Sequence, residues 1–541
     1  MANGRPVSPT EQAGASPSLG PGEVTPPGLD ASNFSGFPLP GLKQPQLSLS
    51  ALQQSGLPLA ETTYLTIGGG LGSFTWVDHL VIHGADPDQI VAIGVEAKPY
   101  ARCRRLRRNS QIPDDERLRS DSGATPDNIW GWPGYALREI WADLKQGRPG
   151  QAAYLAWQIF NESLVEPFTP RAGAVFASID REARRIGWDK IWRFGRVCAI
   201  RKTDDGRYVV AYSQTTPRKQ RPRLIVAPYL HLALGYPRLH FLPDLQNHRA
   251  QSGDFSHFVN AYEPHDHIYQ QLHRRGGTVL LRGRGITASR IIQRLSEERR
   301  GQPKLKILHL LRRPSPAGAA YQWTRRLAEH HFELQPFNFP KSCFGGELLF
   351  TLEQAGEQER VALIELWGGT TTAKRSAWRK IIETGLKEGW YQIRFGDLER
   401  VERHNGQLRV FIGNQTAFQE KTMLPVDYII DATGLDHDLE QSPLWKDLLC
   451  TYRLKRNPGG KLHVTRRFEL PGLRNGRGRV YASGVATAGG HFAPVDSFMG
   501  LQYAAQQSLE ELMALGAPGL RRLTPAGSAA QWLRWARGIR P

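Results

Sequence analysis

Two short apolar runs, each ending in closely spaced glycines and leading into a helix-period stretch, lay out most of this chain. Residues 64–74 read YLTIGGGLGSF, with Gly68, Gly70 and Ser73 at the spacing of a tight strand-to-helix turn. A run that is apolar throughout, rather than at alternate positions, fits a strand buried on both faces, as in a parallel sheet. Gly68 would make the turn, Gly70 would leave room for a phosphate against the backbone, and the next helix N-terminus would face that anion. A helix over 75–83 and a second apolar run, IVAIGVE, ending in Glu96, complete a βαβ start. The same pattern returns at 278–289, TVLLRGRGITAS, with Gly283, Gly285 and Ala288 at the same spacing and a helix through Leu295. Its following strand, 306–311, ends in Arg312 and Arg313 where the first unit has an acid. A carboxylate at that position accepts hydrogen bonds from a ribose, whereas an arginine pairs with a ribose 2′-phosphate. The second unit therefore favours NADPH over NADH.

These two units predict an α/β fold with two Rossmann-like dinucleotide-binding domains. Between them, 110–190 reads as a largely helical insertion holding Trp130, Trp132, Tyr135 and Trp141, which are expected in the core. Residues 195–200 and 208–212 form a period-2 hairpin turning at Asp204, Asp205 and Gly206. Strand-like runs at 223–226 and 229–237 follow, the last ending in Gly235 and Pro237 as where a chain crosses between domains. After a helix near 373–386, strands at 391–395 and 407–412 flank a turn at Asn405 and Gly406. The run 427–434, DYIIDATG, is expected to place its Ala-Thr-Gly turn beside the first glycine loop. A last strand at 479–484, a loop through Gly489, Gly490 and His491, and Asp496 lead to a helix over about 499–515.

The expected domains are a Pro-, Gly- and Ser-rich disordered tail over 1–60, in which 47–59 could add a short helix, the first part of one dinucleotide-binding domain over 61–245, an NAD(P)H-type domain with linker over 246–390, the second part of the first domain over 391–518, and a basic tail helix over 519–541. The tail helix, 528–537, mixes Trp532, Leu533 and Trp535 with arginines. It could rest on an anionic membrane surface or an acidic protein, although packing on its own domain is the commoner fate.

Composition narrows the class. The chain has 541 residues, enough for two or three domains. It holds no apolar stretch of about 18 residues and no secretory signal pattern, so the cytoplasm is the expected location. Cys103, Cys198, Cys343 and Cys450 are far apart in sequence, which argues against a disulfide framework, a zinc site and a dithiol redox pair. The formal charge of +19 implies attraction to a polyanion without choosing one. Arg102, Arg104, Arg105, Arg107 and Arg108 form one short run well separated from the tryptophans. A helix beside cofactor phosphates fits them better than a nucleic-acid stacking platform.

Taken in order, these motifs resemble the two-dinucleotide-binding-domain flavoproteins, especially the flavin-containing and N-hydroxylating monooxygenases, over roughly residues 60–515. The resemblance implies FAD at Gly68, Gly70, Ser73 and Glu96, closed by Thr433, Gly434, Gly484 and Asp496. It implies NADPH at Gly283, Gly285, Ala288, Arg312 and Arg313. The family's FxGxxxH linker is partly present: Gly253 and His257 hold the spacing and Tyr262 follows, with Gln251 in place of the phenylalanine. Gly253 is thereby expected near NADPH and His257 as a catalytic candidate. The third position of the first turn is Ser73 where glycine is usual, implying a slightly wider helix-to-strand approach. The implied activity is an NADPH-dependent monooxygenation of a small nucleophile through a flavin–oxygen adduct. An NAD(P)H:acceptor reductase of quinone type, and a flavin-binding redox sensor or assembly factor without turnover, stay open beside it.

Overall fold

A computed structural model of the chain describes residues 40–118, 125–130, 134–160, 168–216, 219–314, 342–367, 376–413 and 422–541. Two five-stranded parallel sheets organise it. The first runs Arg479–Ala482, Tyr229–Leu232, Tyr64–Gly68, Ile90–Gly94, Trp192–Phe194. The second runs Phe258–Asn260, Tyr428–Asp431, Gly277–Arg282, Leu305–Leu311, Tyr391–Phe395. Tyr64–Gly68 is buried on both faces, as its unbroken apolar run requires. Tyr64 joins the helix-side core with Phe74 and Trp76, and Leu65 and Ile67 join the opposite core with Leu230, Leu232 and Tyr208.

The two units share one topology. In each, the glycine-ended strand is central and is followed by a helix, Leu71–Ile82 or Ile286–Arg299. Two further parallel strands lie to one side. An antiparallel meander comes next: Arg196–Thr203, Tyr208–Thr216 and Lys219–Ala227 in the first, Asp397–His404, Gln407–Gly413 and Thr422–Val426 in the second. The chain then returns as a strand on the other side of the central one and ends in an Ala-x-Gly turn, Ala233 to Gly235 or Ala432 to Gly434. Both turns feed one short antiparallel ribbon, Arg238–Leu239 against Leu435–Asp436, held by Arg238 Nε donating to Asp436 Oδ2 at 2.9 Å. The main chain leaves the first unit on one ribbon strand and comes back on the other.

Several expectations need correction. The expected boundary at 390 falls inside the second sheet, because Tyr391–Phe395 pairs with Leu305–Leu311 and the second unit continues to Gly434. The Asn405–Gly406 turn joins Gln407–Gly413 to Asp397–His404, a strand hidden from sequence reading by its five charged side chains and largely exposed surface. Residues 1–39 lie outside the described residues, as do Trp132 and 373–375, but from residue 40 the expected tail is structured. Gln46–Leu47 and Leu59–Glu61 add parallel edges to the first meander, and Leu42 and Leu52 are buried against it. Six leucines between 42 and 59 supply the apolar surface that a freely disordered tail lacks. The insertion is helical, at Gly134–Lys145, Pro149–Phe160 and Ala172–Ile186. Tyr135 is buried in it, whereas Trp141 is exposed.

The C-terminal helix is Pro525–Arg537, begun by Thr524, whose hydroxyl accepts from the Gly527 amide. It packs on its own domain: Trp535 is buried against Trp130 and Tyr135, under the Arg138 guanidinium at 4.1 Å. No helix among the described residues is long and apolar enough to cross a membrane.

Candidate functional site

Each central strand ends in a cradle built from glycine. Gly68 has φ +131°, and a Cβ there would lie 2.1 Å from the Ala233 carbonyl oxygen. A Cβ on Gly94 would lie 2.6 Å from Gly69 Cα, so the second strand closes on the turn only as glycine. Gly70 is different. It caps the helix in extended geometry, φ −90° and ψ −164°, and the nearest atom to its Cβ position is Pro99 O at 4.0 Å. The first amides of that helix have no intrahelical acceptor, and its dipole favours an anion there. The cradle is closed behind Gly68 and open in front of Gly70, the shape a pyrophosphate needs.

Ser73 is more than a spacer. Its buried hydroxyl oxygen accepts from Gly69 N–H at 3.1 Å and from Thr66 Oγ1 at 3.0 Å, stitching the turn to the strand beneath it. Thr66 in turn meets His231 Nδ1 at 3.0 Å, and His231 Nε2 meets Ser483 Oγ at 3.0 Å. This row of buried polar groups crosses three adjacent strands and reaches Gly484, which is buried with φ +78°. Burial holds the His231 pKa down at about 3, so its ring is neutral. Glu96 stands two residues beyond Gly94, half-buried, and pairs with Arg105 Nη2 at 2.7 Å. That arginine lines a cleft of about 340 Å³ with Lys98, Tyr100, Ala101, Arg104, Arg108 and Asn109. Asp496 accepts from Tyr236 OH at 2.6 Å just past the Ala233–Gly235 turn, which brings it to the same edge. Burial, and then the Asp496 carboxylate, raise the tyrosine's pKa.

The second cradle repeats the first. Gly283 has φ +126°, with a Cβ position 2.3 Å from the Ala432 carbonyl oxygen. Gly285 caps its helix at φ −86° with no atom within 4 Å, and Ala288 is fully buried. His309 lies under the turn, its Nε2 2.6 Å from Gly283 O and its Nδ1 2.7 Å from Tyr391 OH. Arg282 is clamped between Asp431, at 3.0 Å, and Asp244, at 3.1 Å. Arg312 ends its strand with its side chain 74% exposed and Asp397 3.8 Å away. Arg284, unnoticed in the sequence, donates to the Arg313 carbonyl, so three arginines gather at this strand end.

Thr433 and Gly434 were expected beside the first turn. The structure places them beside the second, because Tyr428–Asp431 pairs with Gly277–Arg282 and the first turn already has Ala233 as its partner. Thr433 Oγ1 is buried there without a hydrogen-bond partner. Gly253 and His257 are not brought to either cradle. Gly253 ends the helix Pro243–Ser252, and His257 precedes Phe258–Asn260 at the strand-start edge of the sheet, stacked on Tyr428 at 5.4 Å and bonded to Asp254. Both cradles lie at the opposite, strand-end edge. Tyr262 does reach it: its OH accepts from Thr287 Oγ1 at 3.0 Å and its carbonyl from Asn109 Nδ2 at 2.7 Å, joining the two units. Among the described residues no cluster could hold a metal ion.

No family model matches the chain, and no curated protein matches it. Solved structures do. The ornithine hydroxylase PvdA from Pseudomonas aeruginosa aligns at TM-score 0.58 and 14% identity, covering 84% of this chain and 100% of its own. DfoA from Erwinia amylovora, a cadaverine monooxygenase solved with FAD, gives 0.59 and 14%, covering 85% and 97%. An L-lysine 6-monooxygenase from Pseudomonas syringae gives 0.54 and 14%, covering 84% and 99%. The chain has the two-dinucleotide-domain flavoprotein fold. In this fold the ribbon and Tyr262, whose carbonyl meets Asn109 and whose hydroxyl meets Thr287, tie the two units together.

What sequence reading missed there are Thr66, His231, Ser483, His309 and Arg284. A signal existed: each histidine is the one polar ring in an otherwise apolar strand, YLHL and KILHLL. A buried polar group requires hydrogen-bond partners.

Proposed function

We propose that this protein is an FAD-dependent oxidoreductase that draws on NADPH and acts as a monooxygenase on a small nucleophilic substrate. The observation that carries the reading is the pair of glycine cradles, alike in backbone and opposite in the charge that follows them. Gly68, Gly70 and Ser73 would hold the FAD pyrophosphate against the first helix, with Glu96 on the adenosine ribose and Gly484 and Asp496 closing the far side. Gly283, Gly285, Ala288, Thr433 and Gly434 would hold NADPH, whose 2′-phosphate meets Arg312, Arg313 and Arg284. When bound, the flavin supplies the redox chemistry, accepting hydride and activating dioxygen. The chain's own residues bind, orient and exclude water. Helices Glu347–Gln354 and Glu357–Trp367 belong to the second unit but pack through Leu348, Leu352 and Trp367 on Phe468 and Phe492 of the first, roofing that side of the molecule. The similar structures are named for ornithine, cadaverine and lysine, which all carry a primary amine, and this class is the first to try.

The test is purification followed by aerobic turnover with these three amines. A flavin spectrum near one FAD per chain, NADPH consumed faster than NADH, and hydroxylated product formed in step with NADPH support the reading. Failure to take up FAD refutes it. NADPH oxidation that needs a quinone and not oxygen replaces it with an acceptor reductase.

A further inference from the structure

Each parallel sheet buries one histidine under its glycine turn, His231 at 2% exposure and His309 at 0%. An imidazole in such a place is costly unless its nitrogens are satisfied, and here all four are. The partners also settle which nitrogen carries the hydrogen. Gly283 O can only accept, so His309 Nε2 is the donor and Nδ1 accepts from Tyr391 OH. In the first unit the Thr66 hydroxyl donates to Ser73 Oγ, so Thr66 accepts from His231 Nδ1–H, and Nε2 accepts from the Ser483 hydroxyl. The rings are therefore opposite tautomers, each set by its neighbours.

What they fix is the direction of one peptide group in each turn. A trans peptide points its C=O and N–H opposite ways. With Gly283 C=O held down by His309, the Arg284 N–H faces away from the sheet, on the side where Gly285 is open. In the first turn the equivalent peptide runs the other way: Gly69 N–H is held down on Ser73, which Thr66 and His231 hold in turn, so that peptide fixes the shape of the turn and leaves the helix amides after Gly70 to meet an anion. We infer that His231 and His309 are positioning residues, each locking the backbone of one glycine turn in a single orientation, His231 for the flavin cofactor and His309 for the nicotinamide cofactor. The inference rests on the cofactor reading above. Burial keeps both rings uncharged, with pKa values lowered to about 3 and about 4, so they act as fixed dipoles and not as charges.

The experiment compares the full-length wild type with His231→Leu and His309→Leu. FAD affinity is read on the apoprotein by quenching of flavin fluorescence, and NADP⁺ affinity on the holoprotein by the shift of the flavin absorbance. The fold of each apoprotein is checked by circular dichroism and melting. His231→Leu should weaken FAD about tenfold or more, the size of one buried hydrogen bond left unmade, and leave NADP⁺ within about twofold. His309→Leu should do the reverse. If either leucine variant fails to fold, Ser483→Ala and Tyr391→Phe remove only the outer partner of each ring with little change of volume. They should show the same selectivity at about threefold. His231→Gln and His309→Gln, which keep a donor and an acceptor, should recover part of each loss. Losses shared equally by both cofactors, or affinities unchanged in the well-folded variants, overturn the assignment. A wild type that binds neither cofactor overturns the cofactor reading itself and this inference with it.

Discussion

The first cradle yields a contrast that separates folding from binding at two glycines two residues apart. At Gly68 a methyl group would stand 2.1 Å from Ala233 O, well inside contact distance, on a backbone at φ +131° that side chains rarely adopt. Overpacking and backbone strain each cost about 1–3 kcal/mol, so Gly68→Ala should lose about 2–6 kcal/mol of stability with or without cofactor. At Gly70 the backbone is ordinary extended geometry and the methyl meets only Pro99 O at 4.0 Å. Gly70→Ala should cost the apoprotein no more than about 1 kcal/mol, the difference between glycine and alanine at a helix start. The same methyl occupies the space through which a pyrophosphate approaches the helix amides. Losing one hydrogen bond to a charged group costs about 1.5–3 kcal/mol, so FAD affinity should fall about 10- to 100-fold. Thermal melting of the apoproteins reads the first quantity and fluorescence titration with FAD the second. A Gly70→Ala protein that binds FAD as tightly as the wild type would refute the reasoning, because the open face of the turn would then not be where the anion sits.

Arg312→Ala should weaken NADPH about tenfold or more while leaving NADH nearly unchanged, since the side chain is exposed and its loss costs little stability; equal losses in steady-state KM would exclude a 2′-phosphate contact. Asp78 is fully buried, and burial first, then the negative charge of Glu182, raises its carboxyl pKa despite Arg185, with Asp127 adding to the rise. A raised folded pKa means that its stabilising protonated form is fully present below the ordinary value near 3.8. That contribution is lost as pH rises toward and through the raised value, so Asp78→Asn should melt above wild type at pH 8 by a margin that shrinks toward pH 5. A margin constant across pH would show that the carboxyl stays ionised. Asp431→Ala removes one of the two carboxylates on buried Arg282 and should cost about 3 kcal/mol in denaturant unfolding, against under about 1 kcal/mol for removing exposed Glu402.

The parts legible in the sequence were those dictated by backbone geometry. A turn that tolerates no Cβ at Gly68 and Gly283 must show glycine, and a strand buried on both faces must be apolar throughout, so both units stood out. The similar solved structures agree in fold with the reading those motifs gave. Strand order is not written in any local pattern, which is why the turn at Thr433 was assigned to the wrong cradle. It became assignable only once Ala432 was seen against Gly283. The strand Asp397–His404 was invisible because most of its side chains face solvent, and alternation with a buried face is what marks an antiparallel strand. His231 and His309 were passed over for the converse reason: a single polar residue in an apolar run does not reveal which backbone atom it serves.

The shared topology also bears on how the two sites face each other. The main chain crosses between the units through a ribbon of two residues a side, just past the turn that closes each cradle. A ribbon that short would by itself leave the units free to swing. Three further ties limit the swing. Asn109 and Gln111 of the first unit bond the Tyr262 carbonyl and Asp266 of the second. Arg290, in the second glycine helix, returns the contact to Gln111 O and Glu116. Helices 342–367 reach back so that Phe344 meets Phe492 and Tyr503. Because Arg290 lies in the helix that begins at Gly285, and Asn109 ends the helix that carries Arg105, the partner of Glu96, the ties act directly on elements of both cradles. The spacing of the two glycine cradles is thus held by side chains on the helix that begins at Gly285 and on the helix that carries Arg105, and the ribbon has only to let the chain pass.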